Sequence, residues 1–218
     1  MVITGTRPLE ENLVLDLKLN EGAGTIAHDY SGYRNHGTFK GAGEPAWISG
    51  GGADWDGADD VITVIDHASL DIVTAITVMM WFERASPLFV GRNTLLSKSS
   101  SAYEVGGNQA SDELLIYITI GGNLRYLATT TANILQNTLY HVAYVFPTAD
   151  SKIGIYINGV LEKESAVYTG NIGVNATNVT IGRRGAVTFE GKIYEPRIYD
   201  VALSPEDIAL IYAQRRRT

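Results

Sequence analysis

The chain has 218 residues, of which 45% are hydrophobic and 19% charged, with a formal net charge of −7 and no cysteine. At this length roughly 70% of the unfolded surface is buried on folding, so neither a disulfide nor a metal is needed merely to fold. The missing cysteines exclude thiolate zinc centres, cysteine nucleophiles and disulfide frameworks. The acidic balance leaves one basic cluster, Arg215 to Arg217, read as a solvated tail, so nucleic acid is not an expected partner.

Residues 1–11 read as an N-terminal arm without the charged and apolar segments of a signal peptide, and no stretch reaches the roughly 20 apolar residues of a membrane span. No membrane insertion is expected. Localisation is left open between the cell interior and a virion. The first strand, "NLVLDLKLN", sets Leu13, Leu15, Leu17 and Leu19 on one face and Val14, Asp16 and Lys18 on the other. A Gly-rich run with short strands follows. In "DWDGADD", residues 54–60, Asp56-Gly57 marks a turn, and Asp59 or Asp60 is placed to cap backbone amides before "VITV", with metal ligation the alternative. "AITVMMWFE" is apolar on both faces, the mark of a central strand covered on both sides.

"ELLIYITI" directs Leu114, Ile116, Ile118 and Ile120 to one face. Gly121-Gly122 then predicts a tight hairpin turn, as does Asn158-Gly159 between Ile153–Ile157 and Val160–Ala166. Pro196 cannot donate to a ladder, which puts it at an edge or beside a bulge. In "LSPEDIALIYAQ", Ser204 is an N-cap, Pro205 takes the first helical position, and Ile208, Ile211 and Tyr212 form the stripe that should dock on a sheet. The whole reads as one two-sheet domain over residues 12–213, with a basic tail at 214–218.

The motifs, in order, resemble the laminin-G-like, concanavalin-A-like jelly-roll domains, the group related to pentraxins, legume lectins and sandwich glucanases. The resemblance rests on "LVLDLKLNEGAGTIAHDYSGYRNHG", "ADWDGADDVITV", "LDIVTAITVMMWF", "TLLSKSSSAYEV", "LYHVAYVF", "IGIYINGVL", "VTIGRR" and "FEGKIYEPRIYDVALSPEDIALIY". It implies an all-β, two-sheet antiparallel jelly-roll sandwich with one short C-terminal helix. It also implies a domain that binds carbohydrate or protein, or serves as a structural module.

The loop "HDYSGYRNHG" offers two readings. Its Asp29, Asn35 and carbonyls bent at Gly32 and Gly37 supply the oxygen mixture calcium requires. Relatives hold a structural calcium there, completed by an acid in the closing strand. Here that strand reads "GKIYEP", with Tyr194 where relatives often carry Asp and Glu195 adjacent, on the opposite face unless a bulge re-aims it. The other reading is an Asx-type turn in which Asp29 and Asn35 bond nearby amides.

His28 and His36 bracket the same loop and are weighed as zinc ligands with Asp29 against simple solvation, while His141 is read as a packing residue. A retaining glycosidase needs two carboxylates about 5 Å apart. Asp54 and Asp56 have the alternate spacing but are read as part of a turn, so catalysis is not expected. Carbohydrate would be bound by exposed aromatic faces. Among Trp47, Trp55, Tyr103, Tyr117, Tyr126 and Tyr168 the choice falls on Tyr117, Tyr126 and Tyr103, with Tyr117 and Tyr126 on neighbouring strands forming a concave-face platform. The expectation is a non-catalytic, lectin-like module. The alternatives are a structural or virion-assembly component whose arm reaches a neighbouring subunit in an oligomer, and, third, a polysaccharide-cleaving enzyme.

Overall fold

A computed structural model describes residues 8–40, 44–89, 93–99, 101–108, 111–129, 134–148 and 151–215. Positions 1–7 of the expected arm and 216–218 of the basic tail lie outside the described residues. After one helical turn, α1 (Pro8–Glu11), come β1 (Leu13–Asp16), β2 (Ile26–Ala27), β3 (Gly37–Lys40), β4 (Ala46–Trp47), β5 (Ala53–Asp56) and β6 (Val61–Val64). The long β7 (Ile76–Arg84) precedes β8 (Thr94–Ser97), β9 (Tyr103–Gly107), β10 (Leu114–Ile120), β11 (Asn123–Ala128), β12 (Tyr140–Phe146), β13 (Ser151–Ile157) and β14 (Val160–Tyr168). The chain closes with β15 (Val179–Ile181), a small hairpin of β16 (Arg183–Arg184) and β17 (Val187–Thr188), β18 (Glu190–Tyr199) and helix α2 (Pro205–Arg215).

These strands form two antiparallel sheets packed face to face as a jelly-roll sandwich. The first runs β14-β13-β12-β7-β18-β5-β4, with β1 also paired to β18, and the second β11-β10-β9-β8-β15-β6-β3-β2. One core fills the space between them: Ile76, Val78, Met80 and Phe82 of β7 face Ile62, Val105, Ile116 and Ile181 of the second sheet. Alternation drives this arrangement, since Leu114, Ile116, Ile118 and Ile120 are all buried on the inner side of β10.

The apolar second face of β7 is explained by α2. Met79 packs outside the sheet with Val145, Tyr156, Ile208 and Ile211, and the Trp81 ring stacks on Tyr212 at 5.4 Å. The helix starts as its residues dictate: Ser204 Oγ accepts from the Asp207 amide at 3.1 Å and donates to the Asp207 carboxylate at 2.9 Å. Both expected hairpin turns form, with positive φ at each central residue: 57° and 75° at Gly121-Gly122, and 51° and 80° at Asn158-Gly159.

The first strand departs from strict alternation. A register shift between Leu13 and Leu15, opposite Tyr199 and Ile198, sends Leu13 to the outer cluster beneath α2 while Val14 joins Leu15 and Leu17 in the main core. A bulge inserts one residue and so turns the side chains on either side of it to opposite faces. Pro196 lies within the central β18, not at an edge, and is accommodated by a second register shift between Tyr194 and Arg197. Among the described residues no helix is long and apolar enough to cross a membrane.

Candidate carbohydrate-binding face

The outer face of the second sheet carries a polar row held in register across seven strands. Thr38 of β3 pairs with Thr63 of β6, Thr63 with Thr180 of β15, and Thr180 with Ser97 of β8. Ser97 pairs with Glu104 of β9, Glu104 with Tyr117 of β10, and Tyr117 with Tyr126 of β11. Each of these positions alternates with a core residue, so the row results from period-two patterning on every strand at once.

The row ends in an aromatic pair. The Tyr117 and Tyr126 rings are 6.1 Å apart, tilted by 39°, and Tyr126 is 67% exposed. Beside them Glu104 is only 2% exposed, yet it lies on the outer face. The Arg184 guanidinium reaches its carboxylate at 3.1 Å, and Thr94 Oγ1 donates to the other oxygen at 3.2 Å. The β16–β17 hairpin that brings Arg184 there also leans on the row through Thr180 Oγ1, which donates to the Arg183 carbonyl at 2.7 Å. Chemically this is an aromatic platform next to a fixed anion and cation, flanked by hydroxyls: an apolar surface with a few oriented polar groups.

The other candidate aromatics sit elsewhere. Tyr103, expected beside Tyr117 and Tyr126, is a core residue at 1% exposure, its hydroxyl donating to the Leu70 carbonyl at 3.2 Å. It is one position from Glu104 on β9 and therefore faces inward, where burial pushes its phenol far above the ordinary range. Trp55 is also core, and Trp47 leans on Phe39 at 4.4 Å with its indole N–H donating to the Gly24 carbonyl. Tyr168 ends β14, the edge strand of the first sheet, where it packs on the main core and the Arg125 guanidinium covers its ring at 4.9 Å. Together with Leu124, Tyr126, Leu127 and Ala128 these two line a shallow groove along β11.

In the "HDYSGYRNHG" loop Asp29 is a hub of hydrogen bonds. Its Oδ1 accepts from the Asp16 amide at 2.8 Å and the Ser31 amide at 3.0 Å; its Oδ2 accepts from Ser31 Oγ at 2.7 Å and the Asn35 amide at 2.8 Å. Asn35 Nδ2 in turn donates to the Val14 carbonyl and to Ser69 Oγ, both at 2.8 Å. Any cation at Asp29 would compete with those four donors. Gly32 takes the positive φ of 96° that the bend requires, whereas Gly37 belongs to β3, where a Cβ would meet Ile62 Cγ2 at 2.5 Å. Glu195 sits on the bulge of β18 with φ of 47°, and its carboxylate accepts from Arg197 at 2.9 Å. Arg197 also bridges to Asp16 at 3.0 Å. His36 Nδ1 accepts the Asp29 amide at 3.0 Å and His28 lies against Glu21 at 3.3 Å.

Asp54 and Asp56, expected in a turn, instead belong to β5, alternating with the buried Trp55. Burial pushes the Asp54 carboxyl up, opposed by the Lys192 ammonium paired with it across β18. The turn that follows behaves as its residues dictate: Asp56 Oδ1 accepts the Ala58 amide, and Asp60 Oδ2 the Asp56 amide, both at 2.8 Å. Sequence reasoning missed two buried cations. Lys98 joins Asp66 and Asp71, and Arg84 binds the Ile134 and Ser86 carbonyls and Asp112. No periodicity marks them, because, Ser86 apart, their acceptors are loop groups distant in the chain.

Residues 56–209 match the family described as the concanavalin A-like lectin/glucanases superfamily. The chain belongs to that superfamily. No curated protein matches it. Among solved structures it is similar to the binding domain of Paraclostridial Mosquitocidal Protein 1, with a TM-score of 0.77 and 15% identity over 95% of this chain and 53% of that one. It is also similar to the botulinum neurotoxin serotype D ligand binding domain in complex with N-acetylneuraminic acid, with a TM-score of 0.75 and 16% identity over 94% of this chain and 51% of that one. A third is the binding domain of botulinum neurotoxin DC in complex with rat synaptotagmin II, with a TM-score of 0.73 and 16% identity over 94% and 52%. The chain spans about half the length of these structures, and at such identities the likeness establishes the fold.

Proposed function

We propose that this protein is a non-catalytic carbohydrate-binding module that holds a sugar on the outer face of its second sheet. The observation that carries this reading is the register row: exposed Tyr126 opposite Tyr117, and Tyr117 opposite the anchored Glu104–Arg184 pair. A pyranose ring stacks its C–H face on such a platform and directs hydroxyls to the partly exposed Arg184 guanidinium, which the buried Glu104 carboxylate holds in place. The superfamily and the solved binding domains, one of them holding N-acetylneuraminic acid, support a binding role.

The test is a glycan array that includes sialylated glycans, followed by calorimetry on the hits with wild type and Tyr126→Ala. We expect binding that falls at least tenfold in the variant, while its melting temperature changes little, because an exposed side chain contributes little to packing. An array without hits, or affinity unchanged in Tyr126→Ala, would refute the assignment.

A further inference from the structure

The acidic turn between β5 and β6 has a feature that hydrogen bonding within the turn leaves unexplained. Asp56, Asp59 and Asp60 each present a carboxylate oxygen, and the three lie within 4.8 Å of one another. Asp60 is 2% exposed, and its Oδ2 takes the Asp56 amide, but its buried Oδ1 has no hydrogen-bond partner. A buried carboxylate oxygen without a donor is costly, and two like charges beside it raise that cost.

The surroundings add negative charge. A cleft of about 350 Å³ opens on this turn, lined by the acids Glu44, Asp54, Asp56, Asp60 and Glu190 together with Trp55 and two alanines, with no lysine or arginine among the described residues of its wall. Two cations stand beside the turn: Arg183 Nη1 donates to the Asp59 backbone carbonyl at 2.6 Å, and Lys192, paired with Glu83 at 2.9 Å, lies opposite Asp54 on β18.

We propose that this turn is a binding site for a hard divalent cation, calcium by its donor set, held by carboxylate oxygens of Asp56, Asp59 and Asp60 and completed by water. Only oxygen donors converge here, and calcium accepts six to eight of them in irregular geometry, whereas magnesium demands a near-ideal octahedron. The ion supplies the partner that Asp60 Oδ1 lacks and neutralises the three acids. It thereby fixes the β5–β6 turn, which also touches the β17 strand through Thr188 Oγ1 and the Gly57 carbonyl. The site is separate from the Asp29 loop and from the aromatic platform, so it stands or falls independently of the carbohydrate reading.

The experiment uses chelator-stripped protein titrated with calcium chloride, with magnesium chloride as the comparison, followed by calorimetry and thermal melting. Terbium luminescence excited through tryptophan gives a local readout, because Trp55 adjoins Asp56 and lines the cleft. Expected are one calcium per chain, a higher melting temperature with calcium than with magnesium, and sensitised terbium emission that calcium quenches by displacement. Asp59→Asn and Asp60→Asn should each weaken calcium binding at least tenfold, and Asp29→Asn should leave it unchanged. Asp59 is less buried than Asp60, so Asp59→Asn remains decisive if Asp60→Asn does not fold. Absence of binding at millimolar calcium, binding retained in Asp59→Asn, or binding lost in Asp29→Asn that circular dichroism shows to be folded would each overturn the site.

Discussion

Replacing Asp29 by alanine removes the acceptor for four donors in one step. Two of these, the amides of Asp16 and Asn35, belong to buried residues and have no route to water; Ser31, which supplies the other two donors, is only partly buried. A buried amide left unpaired costs roughly 1–3 kcal/mol, so two of them amount to about 4 kcal/mol with the Ser31 contribution small by comparison. Against the roughly 5–15 kcal/mol that holds a typical domain together, that is a large fraction. The loop should therefore loosen where it joins β1, and the damage should spread through Asn35, which anchors the loop to the Val14 carbonyl and Ser69. Equilibrium urea unfolding of wild type and Asp29→Ala, each run in chelator and again with calcium, measures the loss. If hydrogen bonds hold the loop, the loss is the same in both buffers. A loss below about 1 kcal/mol in chelator that appears in full only with calcium would refute this reasoning and establish the ion as the loop's organiser.

Two further perturbations test other parts of the fold. Gly191→Ala in β18 should cost about 3 kcal/mol, because its φ is 134° and an added Cβ would lie 2.1 Å from the Glu83 carbonyl oxygen of β7; a melting temperature within a degree or so of wild type would contradict the close approach. Burial holds the Asp200 carboxyl above its usual range, a backbone hydrogen bond opposing it more weakly. The folded state therefore binds that proton more tightly than the unfolded chain, and ionisation costs stability as pH rises through the folded pKa. Asp200→Asn, which cannot ionise, should gain on wild type between about pH 4 and about pH 7, and melting curves at the two pH values that show the opposite trend would exclude the desolvated carboxylate.

Much of the architecture follows from local pattern. Period-two alternation in β10, the glycine-containing turns at 121–122 and 158–159, and the cap and stripe of α2 are short-range signals, because each depends on steric and hydrogen-bonding preferences of a few adjacent residues. The doubly apolar β7 even announced that something would cover its outer face. The sequence was less informative wherever the outcome depended on which strands become neighbours. Tyr103, Tyr117 and Tyr126 are equivalent as amphipathic aromatics in alternating strands. Only the register of β9 against β10 turns Tyr103 into the core and lines Glu104 up with the tyrosine pair. The bulges at Leu13 and Glu195 reassign side chains to faces that alternation would deny them, since one inserted residue inverts a two-residue period.

The composition and periodicity of this chain by themselves determined an all-β sandwich with a docked C-terminal helix, because burying alternating apolar faces requires two sheets closed on one another. Tertiary structure alone decided the chemistry of its surface. Glu104 and Arg184 are 80 residues apart, Lys98 finds Asp66 and Asp71 across loops, and Asp60 is buried with one oxygen unpartnered. Pairings at such separations depend on the paths of loops and strands through space, which no local preference encodes.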